Sequence, residues 1–153
     1  MAYERDGMGG RMPFSTLQGH RPDGSGQRSL EDYPGQVLVI NFWASWCPPC
    51  LAEMPTLQRL AARFRGRPFK VLAINVSDPP LRVRRLSSLW GDDIEFLMDG
   101  NGAEAKTWDV RYYPTTFVTD ARGRLVHRVR GEMDWDSDEA IAWIEQLLAS
   151  PEP

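Results

Sequence analysis

Two kinds of apolar pattern alternate along the chain. Nearly continuous runs of β-branched and aromatic residues at 37–43 and 69–76 predict strands that are buried on both faces. Apolar residues that recur every three or four positions predict helices at 48–64 and 137–149, the first of them kinked by Pro55. Strands that alternate with helices in this way indicate an α/β sandwich.

The remaining elements are shorter. A weak helix is expected at 79–90, and the segments 14–17 and 27–30 flank a turn-rich stretch that predicts a small hairpin. The other short elements are a strand, a helix and an antiparallel pair of strands, expected at 95–98, 103–108, 115–119 and 124–130.

The domain limits follow from these elements. The glycine-rich start has no periodicity, so we expect a flexible tail over 1–12, a single domain over 13–149 and a short tail over 150–153. A length of 153 residues suits one domain.

Composition and charge exclude several classes of protein. With 42% hydrophobic and 25% charged residues, the chain has ordinary globular usage, and its net charge of −3 argues against charge-driven nucleic-acid binding. No apolar run approaches the ~18 residues of a membrane-spanning helix. The first 36 positions hold no signal-peptide core, so we expect either a cytoplasmic protein or a chain whose export segment is missing.

The two cysteines, Cys47 and Cys50, form one CxxC directly after the strand at 37–43. A disulfide across two residues closes a small loop and removes little unfolded-chain entropy, so it is poorly suited to stabilising a fold. A zinc site needs four ligands, and His20 and His127 are isolated in the sequence. Redox chemistry is therefore the leading interpretation, with zinc and an inert disulfide as minor alternatives.

Thiol–disulfide exchange requires a thiolate. Cys47 stands where the strand meets the helix, and helix N–H groups stabilise negative charge there, so we expect it to be the exposed nucleophile. Cys50 lies about one turn along the helix and faces the protein, which suits the thiol that resolves a mixed disulfide.

The ten residues from Asn41 to Cys50, NFWASWCPPC, resemble the active-site strand and turn of thioredoxins. A Glu and a Pro at positions 53 and 55 are similar to the TlpA/ResA branch of that superfamily, and residues 113–118 resemble its cis-proline loop. The resemblance implies a thioredoxin-like three-layer sandwich. Its central mixed β-sheet is flanked by helices, with an N-terminal β-hairpin and an inserted helix and strand before Asp99.

The resemblance also implies a function. Members of this branch are thiol–disulfide oxidoreductases that reduce client proteins outside the cytoplasm, in the periplasm or anchored to a membrane. They take electrons from a membrane thiol–disulfide donor and commonly serve cytochrome c maturation. No organic cofactor or metal is implied, and we expect a monomer.

A client-binding surface follows from the same resemblance. Pro114 is expected to be cis, which exposes the backbone of Tyr113 to a substrate strand. Trp46 is expected to form an apolar wall beside Cys47, and Pro48 lies inside the CxxC turn. Simple loop packing of Tyr113 is an equal alternative.

Glu53 is the third candidate catalytic residue. It follows Cys50 by three positions and so shares its helix face. Plain thioredoxins usually carry a buried Asp where this chain has Asn41, so Glu53 is the best remaining proton acceptor. If it is buried, its pKa rises; the alternative is a solvated helix Glu.

Two other classes stay open. Peroxiredoxins usually carry a Thr three residues before the peroxidatic Cys, where this chain has Ala44, and this disfavours a thiol peroxidase. The intact CxxC argues against a thioredoxin-fold binding or chaperone module.

Overall fold

The computed structural model describes residues 3–150, which build one mixed sheet and the helices that cover it. The strands are β1 (Tyr3–Arg11), β2 (Gly19–His20), β3 (Gln27–Arg28), β4 (Val37–Trp43), β5 (Phe69–Val76), β6 (Ile94–Asp99), β7 (Thr115–Thr119) and β8 (Leu125–Gly131). The helices are α1 (Pro48–Arg63), α2 (Pro80–Ser87), α3 (Ala103–Thr107) and α4 (Asp138–Ala149), with a short 3₁₀ turn at Leu30–Asp32.

The sheet order is β1-β8-β7-β4-β5-β6-β2-β3. Strand β4 runs parallel to β5 and antiparallel to β7, and β5 runs parallel to β6. Every residue of β4 is buried, because its side chains alternate between two apolar clusters on opposite faces. The three-layer thioredoxin-like sandwich expected from the sequence is confirmed.

The long elements lie where the sequence predicts them, and the weak ones differ. Strands β4, β5 and β7 have the predicted bounds, whereas α2 ends at Ser87. The N-terminal hairpin is shifted to Gly19–His20 and Gln27–Arg28, because Leu17 adopts a positive φ of 55° that interrupts the first predicted strand. Gly19 then packs against Leu97, where a Cβ would come within 2.9 Å.

The expectation of a flexible tail over 1–12 is wrong for the described residues. Residues 3–11 form β1, an edge strand that pairs antiparallel with β8. Arg128 of β8 also donates to Asp6 Oδ2 at 2.9 Å. The glycines of β1 hide the strand pattern, and a bulge between Gly7 and Arg11 absorbs them. Of the expected C-terminal tail, residues 151–153 lie outside the described residues.

No helix among residues 3–150 combines the length and the apolar character needed to cross a bilayer.

Candidate active site

The cysteines lie at the junction of β4 and α1. Pro48 and Pro49 occupy the first two helical positions, where a missing N–H costs nothing. Cys47 is the N-cap of α1, and its Sγ accepts a hydrogen bond from the Cys50 N–H at 3.3 Å. The two cysteines form a disulfide with their Cα atoms 5.3 Å apart. The redox pair is thus in its oxidised form.

Cys47 is less exposed than the sequence suggests. Its exposed fraction is 4%, against 1% for Cys50, and both cysteines belong to the core cluster beneath the helix. The exposed residues beside it are Pro48, Pro49 and Trp46, the last with 63% of its surface accessible. In this oxidised form, the surface around the disulfide is therefore mostly carbon.

The proline loop meets the CxxC turn through two aromatic rings. The Tyr113–Pro114 peptide is cis, as the resemblance implies. The rings of Trp46 and Tyr113 pack edge to face with centroids 5.3 Å apart. The Pro114 carbonyl accepts from the Gly131 N–H at 2.8 Å, while the backbone of Tyr113 makes no hydrogen bond with residues 3–150. A backbone segment with vacant hydrogen-bonding groups therefore adjoins the exposed Trp46.

Glu53 is buried beneath α1, with 1% of its surface exposed. Its Oε1 accepts from Asn41 Nδ2 at 2.9 Å. Its Oε2 accepts from the Met133 N–H at 2.9 Å and from the indole N–H of Trp135 at 3.1 Å. These bonds join α1 to β4 and to the segment between β8 and α4.

Burial raises the pKa of Glu53 from its ordinary 4.5 to about 8. Hydrogen bonds from Met133, Trp135 and Asn41 act in the opposite direction, and the charge of Glu132 adds to the rise. The expected burial and raised pKa are confirmed, and the solvated alternative is wrong. A carboxyl group that titrates near neutral pH lies three residues after Cys50 on the same helix.

A second buried carboxylate, Asp78, hydrogen-bonds to the segment that leads into the CxxC. It was not predicted from the sequence. Asp78 accepts from the Ser45 N–H at 2.7 Å, from the Ser45 hydroxyl at 2.6 Å and from Asn75 Nδ2 at 2.8 Å. Burial raises the pKa of Asp78, but these bonds and Arg82 outweigh it and leave the pKa below its usual range. The network fixes the backbone two residues before Cys47.

A signal for Asp78 exists in the order of the elements. Asn75 is the next-to-last residue of β5, and Asp78 follows two residues after the strand ends. The carboxyl ends of the parallel strands β4 and β5 meet at one edge of the sheet. Polar groups at such an edge commonly serve the site there.

Among residues 3–150, no three His, Cys, Asp or Glu side chains lie close enough together to hold a metal ion. His127 instead contacts Arg5 and Trp143. Its Nδ1 lies 2.9 Å from Arg5 Nη1, and its ring stacks on the Trp143 ring with centroids 4.4 Å apart.

A redox-active cysteine pair at a helix N-terminus, carried by a mixed sheet that helices cover, defines a thiol–disulfide oxidoreductase of thioredoxin-like fold. The chain belongs to the redoxin family, whose profile matches residues 8–144.

Relatives agree with this class. The thiol-disulfide oxidoreductase ResA of Geobacillus kaustophilus is 31% identical over 92% of this chain and 74% of its own length. A DsbE homolog of Paracoccus denitrificans, named a thiol:disulfide interchange protein, is 42% identical over 65% of this chain and 53% of its own. A secreted thiol-disulfide isomerase from Corynebacterium glutamicum shares the fold, with a TM-score of 0.84, 22% identity and coverage of 98% and 93%. The oxidoreductase class expected from the sequence is confirmed.

Proposed function

We propose that the protein reduces disulfides in client proteins through a cycle in which Cys47 attacks and Cys50 resolves. The observation that carries this assignment is the position of Cys47 as the N-cap of α1. The Cys50 N–H, which donates to Cys47 Sγ, and the positive end of the helix dipole stabilise a thiolate at that position. Cys50 lies inside the first turn and is more deeply buried, which suits attack on a partner already attached to Cys47.

The cycle has two sulfur-exchange steps. The Cys47 thiolate attacks one client sulfur, forms a mixed disulfide and releases the other client sulfur as a thiolate. Cys50 gives up its proton and attacks the sulfur of Cys47. This second step frees the remaining client sulfur and leaves the Cys47–Cys50 disulfide. The client gains two electrons, and the protein loses two.

We assign Glu53 as the acceptor of the Cys50 proton. The two residues share a face of α1, and a pKa of about 8 lets the carboxyl group both take and return a proton near neutral pH. At pH 7, a minor fraction of the protein carries Glu53 ionised and ready to accept. When a donor reduces the disulfide, the neutral carboxyl can return its proton to the Cys50 thiolate.

The client surface that we propose consists of Trp46, Pro48 and Tyr113, and the buried Pro114 contributes through the cis bend that it gives the loop. Trp46 and Pro48 are exposed beside the disulfide, and Trp46 packs on Tyr113. The vacant backbone groups of Tyr113 can pair with an extended client segment, as in other cases of strand addition. Such pairing involves the client backbone and depends little on the client's side chains. This suits an enzyme that must bind different cysteine-containing segments.

We also propose an extracytoplasmic setting, a membrane thiol–disulfide protein as the electron donor, and a monomeric enzyme. Cytochrome c maturation is the proposed type of role. Support comes from the resemblance to the TlpA/ResA branch and from the similar fold of the secreted thiol-disulfide isomerase of Corynebacterium glutamicum.

The roles can be tested by stopped-flow reduction of a disulfide peptide. Glu53→Gln should form the mixed disulfide at the parent rate but resolve it about tenfold or more slowly, as expected for loss of an acid–base group. Glu145→Gln, an exposed change on α4, is the matched control. Parent-like resolution in the Glu53 variant would contradict the proton role. Reduction of a peroxide in preference to a disulfide would favour the thiol peroxidase class.

A further inference from the structure

Asn41 is completely buried, yet its side-chain amide is only half satisfied. Nδ2 donates to Glu53 Oε1 at 2.9 Å and to Thr116 Oγ1 at 3.0 Å. Oδ1 has no hydrogen-bond donor among residues 3–150. A buried acceptor without a donor is uncommon and costly, so this half of the amide requires an explanation.

The two oxygens of Glu53 differ in what their partners can do. Oε2 accepts from the Met133 N–H and from the Trp135 indole N–H, and both groups can only donate. With two donors in place, Oε2 has no free position for a proton. A proton that reaches Glu53 therefore resides on Oε1, which faces Asn41.

A buried O–H on Oε1 needs an acceptor, and among residues 3–150 Asn41 is the only group that hydrogen-bonds to Oε1. The amide now turns its N–H toward Oε1, so an O–H that points at Asn41 meets a second donor. Rotation of the amide by half a turn resolves this conflict, because it exchanges Oδ1 and Nδ2 with almost no change in shape. Oδ1 then accepts from the Glu53 carboxyl and from the Thr116 hydroxyl, which can donate as readily as it accepts. The unpaired amide group is then Nδ2 in place of Oδ1.

We propose that Asn41 is a positioning residue whose amide reverses when Glu53 gains or loses its proton, so that both forms of the carboxyl group are hydrogen-bonded at Oε1. Each orientation pairs one end of the amide and leaves the other end without a partner. An effect of this reversal on the rate of turnover rests on the proposed role of Glu53 as the proton acceptor. The reversal itself does not depend on that role.

The groups that face Glu53 make the reversal specific to its own proton. Strands β4 and β7 contribute only the neutral Asn41 and Thr116. The segment after β8 contributes the charge of Glu132, and α1 contributes Cys50, which does not titrate in the disulfide.

Asn75 on the neighbouring strand β5 is an internal control. It is as deeply buried as Asn41, but both ends of its amide are engaged by Asp78. Its Oδ1 accepts from the Asp78 N–H at 3.1 Å, and a backbone N–H can only donate. This amide is fixed in one orientation.

The direct test is NMR of the oxidised parent protein between pH 5 and pH 10. At high pH we expect nuclear Overhauser contacts from the Asn41 amide protons to Thr116. These contacts should be lost at low pH, and the pH midpoint of their loss should equal the midpoint at which the chemical shift of the Glu53 carboxyl carbon titrates. The contacts of Asn75 should stay constant. In Glu53→Gln, Asn41 should keep the low-pH orientation throughout. Unchanged Asn41 contacts while Glu53 titrates would overturn the proposal.

A kinetic test uses Asn41→Leu, which keeps the shape and removes both polar groups. If the amide hydrogen-bonds to both forms of Glu53, its removal changes their relative stability little. The pH midpoint of the resolution rate in Asn41→Leu then differs from that of the parent by less than half a unit, which is about threefold in the protonation constant. A larger rise of this midpoint means that the amide hydrogen-bonds only to the ionised carboxylate, and it contradicts the reversal. Failure of the proposed function has a different signature, namely a resolution rate that Glu53→Gln leaves unchanged whatever Asn41 does.

Discussion

Replacing Glu53 with Gln should stabilise the folded protein at alkaline pH and have little effect at acid pH. The folded pKa of Glu53 is about 8, against an ordinary value of 4.5. Between these values the unfolded chain holds the carboxyl group ionised while the folded protein holds it protonated. Folding then takes up a proton, so the stability of the parent falls as pH rises through this window.

The size of the effect follows from the two pKa values. One pKa unit corresponds to about 1.4 kcal/mol, so the Glu53 contribution falls by about 3–4 kcal/mol between pH 5 and pH 8. The variant has no proton to exchange at this position. We therefore expect the difference in unfolding free energy, variant minus parent, to grow by about that amount across the same range.

Urea unfolding of both oxidised proteins at pH 5, 6, 7 and 8 measures this difference. Other groups whose pKa depends on folding, such as His127, are common to both proteins and cancel in the difference. Glu145→Gln, the same chemical change at an exposed site on α4 where Glu145 pairs with Arg67, controls for the substitution itself. A variant-minus-parent difference that changes by less than about 0.5 kcal/mol would refute the buried, protonated Glu53, because surface substitutions act on that scale.

Three further results are expected. In the reduced protein, iodoacetamide should label Cys47 faster than Cys50, because the N-terminus of α1 favours its thiolate; peptide mapping decides, and equal labelling contradicts the assignment. Asp78→Ala should lower the unfolding free energy by about 2–4 kcal/mol, since it leaves the Ser45 N–H and a buried amide unpaired, whereas Asp78→Asn keeps most partners and should lose less in the same urea assay. Trp46→Ala should lower kcat/KM for a protein disulfide about tenfold, as for an exposed aromatic anchor, while the urea midpoint stays at the parent value.

Much of the site can be predicted from local sequence, because its parts are close together in the chain. The apolar run of β4, the CxxC and the helical period after it place Cys47, Cys50 and Glu53 correctly relative to one another. The burial of Glu53 also follows from its position on the inner face of α1, alongside Met54 and Leu57.

The partners of these residues depend on contacts across the fold, and local patterns do not reveal them. Trp135 reads as an ordinary core aromatic, yet its indole N–H holds Glu53 from the far end of the chain. Asp78 reads as a loop charge until β4 and β5 are known to be neighbours. The glycines of β1 obscure the alternating pattern of a strand in the sequence. The segment forms a strand because it pairs with the edge of β8.

The division of labour between the two thiols is tested most directly by trapping. Reduced Cys50→Ser and Cys47→Ser are each mixed with a protein that contains a disulfide, and intact mass is measured after acid quenching. We expect Cys50→Ser to accumulate a mixed disulfide through Cys47, because Cys47 is the N-cap of α1, where a thiolate is favoured. Cys47→Ser should form almost none, because Cys50 lies inside the first turn and is the more deeply buried of the two. Accumulation by Cys47→Ser at a similar or higher rate would contradict the assigned order of attack and resolution.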